Sequence, residues 1–280
     1  MELWKPFAEK FQADKLTVFS TDYWTVLVKT AQATLGTLVL AANRDEGFAR
    51  PAAPLAAWDD VPGVVAGRDL AAGGTWLGVR DDGRWAALTN VRDPRHPRPA
   101  TRSRGHLVTD FLRADDSPQG FAEAVYASRE QYDGFNLVVG QGATARVVST
   151  HADRIWRLEQ GVYGLSNDIL DTPWPKVSRA RSGLRKAIQS DPVRFDDLFA
   201  LLDDRDVAPD ERLPDTGVGI ELERVLSPVR IVTEGYGTRV STALAINQSG
   251  LIRVAERTWN PDGTAGAMVE AELSPPATRA

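Results

Sequence analysis

Short apolar runs recur in pairs around tight turns, and a chain built this way is largely confined to antiparallel sheets. TWLGVRDDGRWAALTNV (75–91) holds two such runs about Asp81-Asp82-Gly83, and GFNLVVGQGATARVVST (134–150) holds two more about Gly140–Gly142. TVLVK (25–29) and TLVLAANRD (37–45) join through Gln32–Gly36, while residues 229–259 read as three strands with a turn at Gln248–Gly250 between the last two. Tight turns connect antiparallel neighbours, whereas parallel strands need a long crossover. Helical patterns fall between these clusters. His106–Gln131 reads as two helices interrupted at DDSPQG, followed by Val177–Gln189 and Pro192–Leu202, the last opened by a Ser190-Asp191-Pro192 cap with its proline at the first helical position. The alternation predicts an α+β layered domain, antiparallel sheets with helices outside, rather than a βαβ parallel sheet.

Composition narrows the chemistry. A net charge of −5 over 280 residues argues against a nucleic-acid binder, which needs a clustered basic surface. With no cysteine, the chain has no disulfide, zinc–thiolate site, iron–sulfur cluster or thiol nucleophile. His96, His106 and His151 lie far apart with no ligand spacing, so no metal is expected. No apolar run approaches the ~18 residues of a membrane span, and the first 20 residues lack a secretory apolar core. The expectation is a cytoplasmic protein with no integral membrane segment. Leu3, Trp4, Phe7 and Phe11 share one face of a would-be amphipathic helix with Lys5, Glu9 and Lys10 opposite. That helix either packs on its own domain or contacts a membrane or partner; a non-native leader is the third reading.

Candidate site residues collect at strand ends. AANRDE (41–46) closes an apolar strand with four polar residues, and Asn43 and Asp45 point the same way because side chains alternate. GGTWLG (73–78) offers two glycines for close backbone approach, and ALTN (87–90) and YGLSN (163–167) each end in an asparagine. Arg239 of GTR stands at the start of a further strand. Converged, these residues make a polar pocket suited to carbonyl or oxyanion recognition. The plainer alternatives are asparagines forming turns and an Arg44–Asp45–Glu46 surface ion-pair cluster. Trp76 and Trp85 are expected to pack across one hairpin, and Trp174, between two prolines, to anchor a loop over the helices.

LVLAANRDE, RPAAPLAAW, GRDLAAGGTWLGV, AALTNVRDP, SRGHLVTDFL, GFNLVVG, YGLSNDILDTPWPKV, LPDTGVGIELERVLSP and YGTRVST occur in unbroken order. Together they resemble the NRDE family, named for Asn-Arg-Asp-Glu, which is the family of transport and Golgi organisation protein 2. The resemblance spans about residues 24–260 and gives three segments: an extension at 1–22, one domain at 23–262 and a tail at 263–280. That family is similar in layout to the N-terminal nucleophile (Ntn) hydrolases, which implies a four-layer αββα sandwich of two antiparallel sheets between helices. In those amidases a processed N-terminal cysteine attacks the substrate, an aspartate orients the site, and two asparagines and an arginine line it. Matched motif by motif, these roles fall on Asp45, Asn90 and Asn167, with Arg239 the less secure counterpart of the arginine. Arg44 belongs to the NRDE signature and has no amidase counterpart.

The front of the chain departs from the pattern. Tyr23 and Trp24 stand where such proteins carry Met-Cys, and an indole cannot replace a thiolate in acyl transfer. Cleavage exposing Thr25 would set the nucleophile on the opposite strand face. Cleavage before Ser20 or Thr21 would leave it short of the strand, and a different native start is the third route to an active enzyme. The expectation is therefore a binding or trafficking factor for a small amphipathic ligand in a former hydrolase pocket, with Asn43, Arg44, Asp45, Asn90, Asn167 and Arg239 as ligand-binding residues. The resemblance implies a haem-like or acyl-CoA-like ligand. No cofactor is required; haem is admitted as a ligand, with His96 or His106 as axial candidates. Arg44, Arg239 and the basic loop RDPRHPR (92–98) are the candidate partners of carboxylates or phosphates. The alternative is an Ntn amidase cleaving C–N bonds after processing, using Asp45, Asn90 and Asn167. A scaffold acting through residues 1–22 is a third reading.

Overall fold

The structure, a computed structural model, describes residues 22–29 (backbone), 38–96, 98, 100–190 and 193–275. The expected helix within residues 1–22 therefore lies outside the described residues.

Among the described residues, thirteen strands form two antiparallel sheets. The first runs β10 (Gly161–Leu165), β1 (Asp22–Lys29), β2 (Leu38–Gly47), β11 (Tyr236–Ile246), β12 (Ile252–Trp259), β13 (Ala265–Leu273). The second follows chain order: β3 (Ala52–Ala57), β4 (Val64–Asp69), β5 (Leu77–Arg80), β6 (Arg84–Asn90), β7 (Phe135–Gln141), β8 (Thr144–Ser149), β9 (Trp156–Arg157). Alternation along β2 explains how four layers arise. Leu38, Leu40 and Ala42 face the second sheet, sharing one core with Leu55, Trp76, Trp85, Val147 and Val254. Val39 and Ala41 face the other way, onto α3 (Pro175–Ala187) and α4 (Phe195–Leu202) through Ala180, Leu184, Leu198 and Leu202. On the far side, Ala86, Leu88, Leu137 and Val139 pack against α1 (Gly105–Arg113) and α2 (Pro118–Ala127). The stacking is α–β–β–α, the architecture the resemblance implies.

Local chemistry sets the helix ends. Ser117 caps α2 by accepting from Gly120 N at 3.1 Å, with Pro118 at the first helical position. α4 begins at Phe195 behind Arg194 rather than at Pro192; Asp191 and Pro192 of the expected cap lie outside the described residues. Asp196 and Asp197 in its first turn complement the helix dipole. A short helix, α5 (Ile220–Leu226), was not anticipated; the buried Lys176 ammonium donates to Leu226 O at its end, 3.0 Å away.

Two further expectations need correction. Residues 263–280 are not simply a tail: β13 pairs with β12 from Leu273 opposite Ile252 to Ala265 opposite Trp259. Within 229–259 there are two strands, with Val232 forming only an isolated bridge to Gly237. Trp76 and Trp85 do share the inter-sheet core, but Trp85 stands opposite Val79 while Trp76 precedes β5. Trp76 lies over Gly67, where a Cβ would come within 2.2 Å of the indole. Only glycine allows that approach.

Candidate functional site

The four polar residues ending β2 are all buried, so they are not a surface ion-pair cluster. They divide by face. Asn43 donates from Nδ2 to Leu202 O and Val229 O, each 2.9 Å away, and its Oδ1 accepts from Ser241 Oγ at 2.6 Å. Trp259 Nε1 donates in turn to Ser241 Oγ at 2.9 Å. Leu202 ends α4, so its carbonyl is one that the helix itself leaves unbonded. Asn43 thus fastens the helical layer to the sheet. Asp45 follows on the same face, where its Oδ1 accepts from Thr238 Oγ1, which accepts from Ile231 N at 3.0 Å.

Arg44 and Glu46 turn inward. The Arg44 guanidinium lies 4.3 Å from the Trp76 ring centroid, 3.7 Å from Glu46 and 3.6 Å from Asp69. Arg50 Nε reaches Asp69 Oδ2 at 2.7 Å and Glu46 Oε2 at 3.6 Å. Behind them, Glu256 of β12 accepts from Leu55 N at 2.8 Å and from Thr242 Oγ1 at 3.3 Å. Burial pushes the Glu256 carboxyl up to about 7, against the lowering pull of those donors, the Arg44 charge and the Trp76 indole. Burial also raises Glu46, partly opposed by Arg44. Burial works on Asp69 too, but the Arg50 hydrogen bond, the Ala72 N–H and the neighbouring guanidinium charges outweigh it and hold the group below the usual carboxylate range. Three acids within one network are therefore displaced in different directions, a condition common at functional sites.

This network backs an open cleft of about 240 Å³. Its lining comes from the corner after β2 and the run before β5, with Arg50, Asp69, Gly74, Thr75 and Trp76, and from the segment entering α1, with Arg102, Ser103, Arg104 and Gly105, joined by Asp133. Gly74 and Gly105 meet backbone to backbone: a Cβ on Gly74 would fall 2.6 Å from the Gly105 carbonyl carbon. That is the close approach expected of GGTWLG. Three guanidinia face two carboxylates here, and Arg104 bonds Gly134 O at 2.9 Å beside Asp133.

Asn90 and Asn167 are brought together. Asn167 Nδ2 donates to Asn90 O at 3.1 Å, and its Oδ1 accepts from Arg92 Nη2 at 3.2 Å and Ser166 Oγ at 3.3 Å. Arg92 is anchored by Glu223 at 3.1 Å and lies 5.4 Å from the Trp174 ring, consistent with Trp174 anchoring a loop. Among the described residues no hydrogen bond joins this pair to Asp45. Arg239 is the extra residue of a bulge in β11, and its Nη1 donates to Gly47 O and Arg50 O at 3.0 and 2.9 Å. It braces the corner after β2. β1 runs beside β2 with Tyr23 opposite Arg44 and Trp24 opposite Asn43.

Neither candidate histidine lines the cleft. His96 is largely exposed and pairs with Asp93 at 2.9 Å; His106 bonds Ala72 O at 2.8 Å. Among the described residues no cluster of His, Asp and Glu could hold a metal. The loop from Arg92 is less solvated than its composition suggests, since Arg92, Arg98 and Arg104 each pair with an acid. Glu256, Asp69, Arg50 and Arg102 were not anticipated as site residues. Their only sequence signal is a charge beside an apolar strand or a glycine-rich turn.

The sequence model of the family described as Transport and Golgi organisation 2 matches residues 26–261. A mouse Transport and Golgi organization 2 homolog is 33% identical over 239 residues, covering 79% of this chain and 86% of that protein. The human homolog is 34% identical over 237 residues at the same coverage. Among solved structures, a Caenorhabditis elegans ortholog of N-acylethanolamine-hydrolyzing acid amidase superposes with a TM-score of 0.45 at 10% identity, over 80% of this chain and 92% of that one.

Proposed function

The chain belongs to the Transport and Golgi organisation 2 family, and from that premise we propose that it is a cytoplasmic binding and trafficking protein for a small amphipathic, acid-bearing ligand, haem-like or acyl-CoA-like. Among the described residues no helix is long and apolar enough to cross a membrane. The observation that carries the reading is the arginine-lined cleft backed by the buried Arg44–Trp76 stack. A buried guanidinium held at 3.6–3.7 Å from two carboxylates is a poor stabilising device, because desolvation offsets the attraction. It is better suited to hold charged walls in place for an incoming acid. Arg44, Glu46 and Asp69 fix the Trp76 face, and the cleft arginines meet the acid head.

The amidase alternative has one supporting observation, the pairing of Asn90 with Asn167. Against it stands the indole at position 24, at the register point opposite Asn43 where a nucleophile would be needed. Calorimetric titration with haemin and palmitoyl-CoA, alongside a chromogenic acyl-amide assay, separates the two. Binding without turnover, weakened about tenfold by Arg44→Lys, is expected from loss of the planar stack. Amide turnover lost on Asp45→Asn or Asn167→Ala would replace the binding role with hydrolysis.

A further inference from the structure

We infer that the cleft between the corner after β2 and the start of α1 is a phosphate-binding site, selecting the phosphate of its ligand over a lone carboxylate. This rests on the proposed binding role and deepens it. Among the described residues the Arg50 side chain hydrogen-bonds only through Nε, to Asp69, which leaves both terminal nitrogens of this cleft-lining residue available. Arg102, in the same lining but from the segment entering α1, bonds through Nη2 alone to Asp110 at 3.2 Å, its face over the Tyr132 ring 5.2 Å away. Ser103 lines the same cleft and, among the described residues, its hydroxyl makes no hydrogen bond, though Ser103 O accepts from His106 N at 3.2 Å. Two guanidinium edges and one hydroxyl thus approach from two segments of chain. A tetrahedral phosphate presents oxygens in diverging directions and can accept from both segments at once, with bidentate geometry at each guanidinium. A planar carboxylate offers two oxygens in one plane and is already supplied to Arg50 by Asp69.

The two carboxylates of the cleft do not cancel this preference. Asp69 is paired with Arg50 and lies 3.6 Å from Arg44, while Asp133 lies 3.4 Å from Arg104. Arg102 is the cation whose acidic partner, Asp110, lies outside the lining. The first turn of α1 also carries no acidic residue and no side-chain cap, which leaves its positive end toward the Ser103–Gly105 edge. At about 240 Å³ the cleft is smaller than a typical pocket for a whole drug-sized ligand, so it takes the phosphate head while the remainder lies outside.

The test uses the full chain and Arg102→Gln, a partly exposed position whose loss leaves the core intact, with Ser103→Ala as the second variant. Inorganic pyrophosphate, ADP, vesicles containing phosphatidic acid, palmitate, haemin and palmitoyl-CoA are titrated by calorimetry or flotation. Expected are pyrophosphate binding weakened about tenfold by Arg102→Gln, a matching loss for palmitoyl-CoA, and palmitate affinity unchanged. ADP binding with no vesicle flotation assigns the phosphate to a nucleotide; the reverse assigns it to a lipid headgroup. Palmitoyl-CoA or haemin binding that ignores Arg102→Gln and Ser103→Ala, with no pyrophosphate affinity, overturns the phosphate site and leaves the binding role standing. No binding of any probe overturns both.

Discussion

Adjacent residues at the end of β2 have opposite fates. On the outer face, Asn43 meets two backbone carbonyls and a serine hydroxyl at 2.6–2.9 Å. On the inner face, Arg44 and Glu46 sit in a looser charge network, with neighbouring acids displaced from their ordinary pKa values, behind an open cleft. One contiguous tetrapeptide therefore does two jobs, because a strand sends successive side chains to opposite faces. Asn43 fastens a helical layer and Asp45 accepts from Thr238 of β11, while the inner pair lies in the charge network behind the cleft. Substitutions one position apart should separate stability from binding.

The largest effect is expected from Asn43→Ala. It removes one hydrogen-bond partner from each of two buried carbonyls and from the Ser241 hydroxyl, which keeps Trp259 Nε1, each loss costing about 1–3 kcal/mol. A loss of about 4 kcal/mol in urea unfolding, with ligand affinity of the folded fraction unchanged, is the outcome that sustains the division of faces. Loss of affinity without loss of stability would place Asn43 in the site instead.

Next in size is the inner face's pH response, through Glu256. Its folded pKa is about 7 against an ordinary 4.5. Below pH 4.5 both folded and unfolded chains hold the proton, and the residue exerts no differential effect. As pH rises from 4.5 to 7 the unfolded chain ionises while the folded one retains its proton, so stability falls and then levels off, about 3 kcal/mol lower. Glu256→Gln should match the parent near pH 4.5, lose less stability over that window and be the more stable protein at pH 8. Parallel pH profiles for the two proteins would show that Glu256 ionises freely despite its burial.

Much of this architecture was legible beforehand. The hairpins at 75–91 and 134–150 and the two helices after His106 follow from apolar periodicity and turn residues, which are local signals. β3, β4 and α5 were missed because their sequences carry mixed signals: β3 is AAPLAA, with a proline and only Leu55 fully buried, and α5 has seven residues. β13 is largely exposed, held by pairing to β12, so no apolar pattern announced it. For the site, alternation put Asn43 and Asp45 on one face, but no local rule says which face meets helices and which meets the other sheet. That depends on where β11 and β6 pack. Glu256 lies 210 residues beyond Glu46, and only the pairing of β12 with β11 and β11 with β2 brings it behind Arg44.

A smaller effect than either is expected from Arg44→Lys. The ammonium keeps the charge but loses the planar stack on Trp76, which holds Nη2 3.7 Å from Glu46 and 3.6 Å from Asp69. A stability loss of about 1–2 kcal/mol is expected. An equal loss for Asn43→Gln and Arg44→Lys in both stability and affinity would erase the contrast between the faces.

The smallest effect tests whether the site could lie elsewhere, on the loop from Arg92. His96 has a side chain 79% exposed, and its pairing with Asp93 at 2.9 Å is a surface contact. Such pairs contribute about 0–1 kcal/mol, so His96→Ala should leave urea unfolding within about 0.5 kcal/mol of the parent. Asp93 keeps His151 as a second neighbour at 3.4 Å, which limits the loss further. The informative readout is the absorption spectrum after haemin is added. Bound through the cleft walls, haemin should give the same Soret band with and without His96, since that imidazole does not line the cleft. A shifted band in His96→Ala would make His96 an iron ligand. It would also move the haem-like reading from the inner face of β2 to the 92–98 loop, leaving the arginine cleft to a phosphate-bearing ligand alone.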